Sequence, residues 1–284
     1  MKVGISNIGM KASEKVAGAV LAEELGFDSV WYGEHIVLPH RTVYPVNPQP
    51  YGPQELVDVF VLLAQLAAKT SRIRLATGIV MLPLRAPIMA ARQILGVDHA
   101  SNGRFDMAVG LGWSQDEYDA AGVDMKTRGA RLDEQLEFIN KLFQPDENIE
   151  FQGRFYSVAP TRFEPKPIQR PRPPFLVGGG STAALKRAAR WDGWYGVVNT
   201  VDEFKKSRDR IEGYRREYGR ENAPFEYVLV FHEGMPCRGA PTAEELAEFE
   251  AAGAHRFVAT PWAYDYPNAL VRIAQYAREL GLSA

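Results

Sequence analysis

The sequence has a single cysteine, Cys237, among its 284 residues, and almost no excess of charge of either sign. One cysteine excludes an internal disulfide framework and a cysteine-based zinc site, and it favours a reducing, cytoplasmic setting. Lys and Arg total 33 against 35 Asp and Glu, so the formal charge is −2 and no block of like charge is present. Proteins that bind nucleic acid through its phosphates normally carry a basic patch, so no nucleic-acid partner is expected.

Long apolar runs are also missing. The longest unbroken run spans the six residues 59–64, far below the roughly 18 residues that suggest a membrane span. The first 15 residues include Lys2, Lys11, Glu14 and Lys15, which is unlike the apolar core of a signal peptide. We therefore expect no membrane partner.

Short β-branched runs alternate along the chain with longer stretches in which apolar residues recur at i, i+3, i+4 and i+7. Eight helical patterns follow eight predicted strands, and no change of composition marks a linker. This alternation favours an α/β fold, a closed (β/α)8 TIM barrel formed by one domain over residues 1–284. The predicted strands lie near Lys2–Ile8, Ser29–Tyr32, Ile73–Val80, Arg104–Gly110, Pro174–Gly178, Gly193–Val198, Tyr227–His232 and Arg256–Ala259.

A proline-rich stretch, Asp146–Pro174, interrupts the alternation after the fourth βα unit. It predicts an insertion that contains a short hairpin around Gly153. Four helix starts are predicted where a side chain can accept a hydrogen bond from a free backbone N–H group. They lie at Ser13, at Ser181, at Thr200 with Glu203, and at Thr242 with Glu245.

The second predicted strand is followed by Glu34 and His35. In a (β/α)8 barrel the active site is built from the loops at the C-terminal ends of the strands, so these residues belong to the barrel mouth. Imidazole exchanges a proton near neutral pH, and an adjacent acid can orient it. The alternative is a loop histidine that is only satisfied by hydrogen bonds.

Glycines follow the third and fourth strands, at Gly78 and in Gly110–Leu111–Gly112–Trp113. Glycine at a strand end marks a bulge or the close approach of a ligand, although a glycine without such a role is the alternative. The fourth-strand motif resembles the start of a dinucleotide fingerprint, but Gln115 occupies the third glycine position and no helix start is evident there.

The fifth predicted strand runs through Val177–Gly178–Gly179–Gly180–Ser181 into a helix. Exposed N–H groups and the helix dipole favour an anion such as phosphate at this point. Gly178, Gly180 and Ala183 also fit G-x-G-x-x-A, but the acid that would hold a ribose about 20 residues later is absent from residues 198–200, which are Val, Asn and Thr. Phosphate binding is therefore favoured over a structural turn, and an NAD-dependent dehydrogenase is disfavoured.

Metal and nucleophilic chemistry have little support, and no metal site is predicted. The histidines show no HxH or HExxH spacing; they are His35, His40, His99, His232 and His255. The motif G-x-S-x-G is absent, and Cys237 lies in a Pro/Gly-rich loop.

Several separated motifs, in their order along almost the whole chain, resemble the bacterial luciferase-like superfamily, and most closely its branch of oxidoreductases that use the deazaflavin coenzyme F420. The motifs are Leu25–Trp31 with Glu34–His35, Ala76–Val80 with Pro83 and Pro87, Asp98–Arg104 with Gly110–Trp113, and Gly178–Ser181 with Trp191–Gly193.

The resemblance implies a (β/α)8 barrel with a flavin-type ring in its mouth. It places Thr77, Gly78 and Ile79 in a bulge behind the ring, with a cis peptide between Gly78 and Ile79. It also places the backbone of Gly110 and Gly112 beside the ring, where Trp113 can stack.

By the same resemblance, the segment from Val177 through Gly178, Gly179 and Gly180 to Ser181 wraps the cofactor phosphate. Glu34 and His35 correspond to a pair that touches the ring and the substrate pocket, with His35 as the proton donor or acceptor and Glu34 orienting it or contacting the ring. The sugar-phosphate dehydrogenases of the family have a catalytic glutamate where this chain has Trp113–Ser114, so oxidation of glucose 6-phosphate is not expected.

The implied activity is hydride transfer between F420 and a small organic substrate. An FMN-dependent monooxygenase on the same scaffold and a non-catalytic flavin-binding or deazaflavin-binding protein remain alternatives. The resemblance also implies a homodimer.

Two further expectations concern sets of side chains. An apolar wall of the substrate pocket is expected from Trp31, Met81, Leu82 and Trp113. Contact with the acidic tail of the cofactor is expected from Arg41, Arg162, Lys166, Arg170 and Arg172.

Overall fold

A computed structural model of the chain describes residues 1–6, 10–37, 55–231, 239–262 and 266–282. The described residues contain ten strands: β1 (Lys2–Ser6), β2 (Ser29–Tyr32), β3 (Arg74–Val80), β4 (Phe105–Val109), β5 (Ile149–Gln152), β6 (Ser157–Thr161), β7 (Phe175–Gly178), β8 (Gly193–Val198), β9 (Glu226–Phe231) and β10 (Arg256–Ala259). Eight of them form a closed barrel of parallel strands in the order β1-β2-β3-β4-β7-β8-β9-β10, which confirms the predicted fold.

Helices follow the barrel strands and cover the outside of the barrel. In the described ranges they are α1 (Ala12–Glu24), α2 (Val59–Lys69), α3 (Pro87–Ala100), α4 (Gln115–Ala120), α5 (Arg128–Phe143), α6 (Thr182–Ala188), α7 (Val201–Glu217), α8 (Ala243–Ala251) and α9 (Ala269–Glu279). The expectation that no helix starts at Gln115 is wrong, because α4 begins there. None of the described helices combines the length and the apolar character that a membrane span needs.

The predicted insertion is the antiparallel hairpin of β5 and β6, which lies outside the barrel. The Phe151 ring packs edge-on against Phe138 of α5, with ring centroids 5.1 Å apart. The carboxylate of Glu134, also on α5, accepts the backbone N–H groups of residues 154–156 at 2.7–2.9 Å. The hairpin is therefore attached to α5 by aromatic packing and by one carboxylate that satisfies its turn.

The predicted helix starts are confirmed only in part. Ser181 accepts the N–H of Ala184 at 3.2 Å, and the reciprocal capping box of Thr242 and Glu245 is present. At α7, the Thr200 hydroxyl accepts the Glu203 N–H, but the Glu203 carboxylate accepts from Asn199 rather than from Thr200.

The start predicted at Ser13 is wrong. Helix α1 begins at Ala12, and the Ala12 N–H donates to Oε2 of Glu55 at 2.7 Å. The free N–H at this helix end is thus satisfied by a residue 43 positions away, and local capping residues give no sign of it.

The barrel interior is filled with side chains. Trp31 of β2 stacks on Tyr195 of β8 with ring centroids 5.3 Å apart, and Ala76, Ala108 and Leu176 pack in the same cluster. A packed interior of this kind leaves ligand binding to the two ends of the barrel.

The floor of the barrel, where the strands begin, is closed by a buried ionic cluster. The Arg256 guanidinium lies 2.8 Å from carboxylate oxygens of Asp28 and Asp106 and 3.1 Å from one of Glu226. Arg74 also donates to Asp106. Every carboxylate of this cluster thus lies beside at least one guanidinium group, which offsets part of the free-energy cost of burying it.

Candidate functional site

The ends of four strands meet around the Gly78–Ile79 peptide, at the end of the barrel opposite the ionic cluster. The pairing of β3 with β4 changes register between Thr77 and Val80, and the Gly78–Ile79 peptide is cis. The predicted bulge and the predicted cis peptide are therefore confirmed. The Thr77 hydroxyl donates to the Ala108 carbonyl at 2.7 Å, which fastens the bulge to β4.

Glycines surround Ile79 and leave room for its side chain. A Cβ atom on Gly110 would lie 2.9 Å from Cδ1 of Ile79, and one on Gly178 would lie 3.2 Å from its Cγ2. A Cβ atom on Gly33 would lie 3.2 Å from the carbonyl oxygen of Gly78. The ends of β2, β4 and β7 thus present bare backbone around a partly exposed Ile79.

Glu34 does not orient His35. Its side chain is buried, its Oε2 accepts the Met81 N–H at 3.0 Å, and its Oε1 accepts from Arg85. Arg85 also pairs with Asp58, at the start of α2, at 2.9 Å. The Glu34 carboxylate therefore holds the segment after β3 in place, which corrects the expectation that it orients His35, whereas its contact with the ring stays a prediction.

His35 is held instead by Glu117 of α4, a residue that the sequence did not single out. Oε2 of Glu117 lies 3.1 Å from Nδ1 of His35, and Oε1 accepts the Ile36 N–H at 2.8 Å. The His35 side chain is 18% exposed and that of Glu117 is fully buried. The Trp113 ring packs edge-on against the imidazole, with centroids 5.8 Å apart.

One local signal pointed at Glu117. Ser114 and Glu117 have the S-x-x-E spacing of a capping box, which predicts a helix start at Gln115. Ser114 does precede α4, but its side chain makes no capping hydrogen bond, and the glutamate carboxylate faces the segment after β2. The spacing could have located the helix, whereas the partner of Glu117 lies 82 residues away.

The loop between β4 and α4 is fixed by two features. Gly112 has a φ of +67°, which favours glycine, and a Cβ atom there would lie 2.3 Å from the Met81 sulfur, so any larger residue would have to displace Met81. Tyr118 donates a hydrogen bond to the Leu111 carbonyl. Burial raises the pKa of Tyr118 to about 12 against the opposing charge of Arg128, and Glu117 adds to the rise. The phenol therefore stays protonated and keeps its donor near neutral pH.

The glycine-rich loop after β7 is open to solvent at its centre. Gly179 and Gly180 are exposed, and a Cβ atom on Gly180 would meet no other atom within 4 Å. Gly179 has a φ of +108°, and its carbonyl accepts from Trp194 at 2.8 Å. The Ser181 hydroxyl is used as the cap of α6. The accessible part of this loop is thus its backbone.

Some predicted contact residues are buried. Thr77 and Val177 are fully enclosed, so neither offers its side chain to the open mouth. Of the predicted substrate wall, Trp31, Met81 and Leu82 are core residues, and only Trp113 is partly exposed.

The arginine-rich half of the insertion lies away from the mouth. Arg172 pairs with Asp192, which precedes β8. Lys166 donates to the carbonyls of Leu142, in α5, and Asp146, which follows it. Arg170 lines a cleft of about 1270 Å³ at the floor of the barrel. The expectation that these three cations meet the cofactor is therefore wrong, because the chain crosses under the barrel before entering β7. Arg162 pairs with Glu147 of the same insertion.

Other candidates lie at the floor or outside the described residues. His99 Nε2 lies 2.9 Å from the Lys166 carbonyl oxygen, and His255 accepts the Tyr227 N–H at 3.0 Å. No group of three or more metal-ligating side chains occurs within the described ranges. His40, Arg41, His232 and Cys237 lie outside the described residues.

The family model of the luciferase-like monooxygenases matches residues 3–279 of this chain. An uncharacterised protein of Mycobacterium tuberculosis is 33% identical over 235 residues, which cover 80% of each chain. The oxygenase component of a flavin-dependent trigonelline monooxygenase of Acinetobacter baylyi is 33% identical over 159 residues, which cover 55% of this chain and 40% of that protein.

A solved structure of an F420-dependent secondary alcohol dehydrogenase, in complex with an F420-acetone adduct, superposes with a TM-score of 0.79. The two sequences are 17% identical, and the superposition covers 98% of each chain. At this level of identity the likeness shows a shared fold.

Proposed function

The chain belongs to the luciferase-like monooxygenase family, and from that premise we propose that it is an oxidoreductase that transfers a hydride between coenzyme F420 and a small organic substrate. The observation that supports a ring of the flavin or deazaflavin type at the mouth is the cradle around Ile79, and the choice of F420 rests on the resemblance of the separated sequence motifs. Gly110 and Gly178 lack side chains and so leave room for Ile79, which is partly exposed at the mouth beside bare backbone, and His35 follows the neighbouring strand β2.

The residues of the mouth fit a ring of the flavin or deazaflavin type. The bulge at Gly78–Ile79 would lie behind the ring, with the backbone of Gly110 and Gly112 beside it. The open backbone of Gly179 and Gly180 would receive the phosphate, because exposed N–H groups favour an anion. When bound, a deazaflavin supplies two-electron hydride chemistry, and the protein supplies position, exclusion of water and a proton.

Within this proposal His35 moves the proton. The carboxylate of Glu117 and the edge of Trp113 hold the imidazole at the mouth. Glu34 and Arg85 keep the segment after the bulge in register with β2 and do not take part in proton transfer.

Replacing His35 by alanine tests its role. We expect His35→Ala to bind the cofactor within about twofold of the unaltered protein and to slow hydride transfer in a single turnover by about 10²- to 10⁴-fold. The matched control is His99→Ala, because His99 bonds to the Lys166 carbonyl near the floor. An unaltered rate in His35→Ala would remove this residue from the mechanism.

An FMN-dependent monooxygenase is the second candidate. It is favoured by the 33% identity to the flavin-dependent trigonelline monooxygenase component. Backbone contacts to the ring serve either cofactor, so the geometry around Ile79 is compatible with both. A non-catalytic binding protein of the same fold is the third candidate, and it requires that cofactor binds without any turnover.

Parallel titration of the purified protein with F420 and with FMN tests the proposal. Cofactor fluorescence is followed at one ionic strength, with the Gly180→Val variant as a control for binding at the mouth. Selective F420 binding, followed by hydride exchange with at least one member of a panel of small alcohols and ketones, is the expected result. Selective FMN binding with oxygen consumption would establish the monooxygenase instead, and binding of neither would overturn both.

We also propose that the protein is a homodimer that acts on a small-molecule substrate, because it belongs to this family. The single cysteine supports a cytoplasmic location. Most soluble oligomers are symmetric dimers. Light scattering on the full chain is expected to give twice the monomer mass of 31.7 kDa.

A further inference from the structure

Glu117 is a fully buried carboxylate whose two oxygens both face the segment after β2. Within the described ranges, His35 is its only ion-pair partner. We propose that Glu117 is a positioning residue that holds His35 as the Nδ1–H tautomer, so that Nε2 is the ring atom that exchanges a proton with the substrate.

The tautomer follows from the chemistry of the pair. An ionised carboxylate only accepts hydrogen bonds, so at 3.1 Å from Oε2 the Nδ1 atom has to carry the hydrogen. In the neutral ring this leaves Nε2 as the acceptor. Nε2 has no hydrogen-bond partner among the described residues, and the side chain reaches solvent with 18% of its surface.

Anchoring the loop does not by itself account for a carboxylate at this position. The Ile36 N–H occupies one oxygen of Glu117, and a neutral acceptor would satisfy that N–H equally well. A buried charge costs free energy unless it is paired and hydrogen-bonded. The second oxygen therefore matters for His35, where a negative charge stabilises the ring each time it becomes an imidazolium.

The proton and electron balance is simple. With the cofactor bound, oxidation of the substrate would move a hydride from its carbon to the cofactor, and the proton of its hydroxyl group would go to Nε2 of His35. When the substrate is reduced, the same proton returns. The Glu117 carboxylate beside Nδ1 offsets the charge of the ring. This kinetic role rests on the proposed function, whereas the tautomer is a property of the protein alone.

The tautomer can be measured directly by nitrogen NMR on the full chain labelled with ¹⁵N-histidine, at a pH where imidazoles are neutral. The His35 resonances are assigned by their loss in His35→Asn. We expect the unaltered protein to show a protonated Nδ1 and an unprotonated Nε2 for His35. A protonated Nε2 in the unaltered protein would overturn the proposal without any variant of Glu117.

The Glu117→Gln variant sharpens the test. The Ile36 N–H needs an acceptor, so the amide oxygen has to face Ile36 and the amide NH₂ has to face Nδ1 of His35. The ring is then forced to the opposite tautomer, with the hydrogen on Nε2. The expected spectrum shows this exchange of protonated nitrogens, and an unchanged tautomer would contradict the inference.

Kinetics separate positioning from simple loss of structure. We expect Glu117→Gln to bind the cofactor within about twofold of the unaltered protein and to slow single-turnover hydride transfer by about 10²- to 10⁴-fold. Glu117→Asp keeps the carboxylate and is expected to recover part of the rate and the original tautomer. Equal losses in both variants would overturn the inference. Failure to bind any cofactor would refute the proposed function, while the NMR result would still decide the tautomer.

Discussion

Gly179 and Gly180 are neighbours in the same loop, yet their substitution should have opposite consequences. Gly179 has a φ of +108°, and an added Cβ atom would lie 3.2 Å from Cβ of Ala184. A non-glycine residue in such a conformation costs about 1–3 kcal/mol. Gly180 has no positive φ, and an added Cβ atom would meet nothing within 4 Å. A side chain there should change the stability by less than about 0.5 kcal/mol.

These magnitudes convert into melting temperatures. At about 2–4 °C per kcal/mol for a chain of this size, Gly179→Ala should lower the melting temperature by about 2–12 °C, and Gly180→Ala should lower it by less than about 2 °C. Cofactor affinity should show the opposite pattern and fall mainly when Gly180 is replaced. The side chain of Gly180→Val would fill the open space proposed for the phosphate and weaken binding at least tenfold, or about 1.4 kcal/mol.

The assay combines thermal melting with fluorescence titration by F420 and FMN. The matched control is Gly96→Val, because Gly96 of α3 also has open space around its Cβ position and is not part of the four loops of the mouth. An unaltered affinity of Gly180→Val for the cofactor that the unaltered protein binds would refute the glycine loop as part of the site. A fully stable Gly179→Ala would refute the backbone argument.

Two further substitutions test the packing of the mouth and the floor. Gly110→Ala should lower the free energy of unfolding by about 1–3 kcal/mol, because the added Cβ atom overpacks against Ile79. The double variant with Ile79→Ala should be at least about 1 kcal/mol more stable than the sum of the two single changes predicts. Additive changes in the free energy of unfolding, measured in denaturant, would contradict the contact. At the floor, burial works to raise the pKa of Asp106, but hydrogen bonds and charge from Arg74 and Arg256 outweigh it and hold that pKa below its usual range. Its stabilisation is therefore complete above the unfolded-state pKa of about 3.9 and is lost as the pH falls through the lower folded-state pKa. We expect Asp106→Asn to cost about 3 kcal/mol at neutral pH and to flatten the acid side of the stability profile, and an equally steep acid limb in the variant would count against this assignment.

The fold was accessible from sequence because each βα unit carries its own periodic pattern. Helix caps were predicted correctly where both hydrogen-bonding partners lie within a few residues of each other, as in the capping box of Thr242 and Glu245. The same reasoning failed at Ser13, because α1 is capped by Glu55 from a distant segment.

The resemblance to the family added the cis peptide at Gly78–Ile79 and supported the bulge that a glycine at a strand end had already suggested, and neither feature follows from periodicity. It also suggested Glu34 as the partner of His35. That inference failed because adjacency in sequence does not direct two side chains toward each other, and the buried Glu34 found the N–H of Met81 and the guanidinium of Arg85 instead.

Sequence by itself determined the alternation of strands and helices, the position of the insertion and the loops that form the mouth, since those depend on periodicity and turn chemistry within short segments. Only the tertiary structure decided which charged groups meet. Closing the barrel brings Glu117 to His35 across 82 residues and carries Arg170 and Arg172 to the floor. Such pairings depend on how distant loops converge when the barrel closes, and buried charges then take whichever partner lies within hydrogen-bond distance.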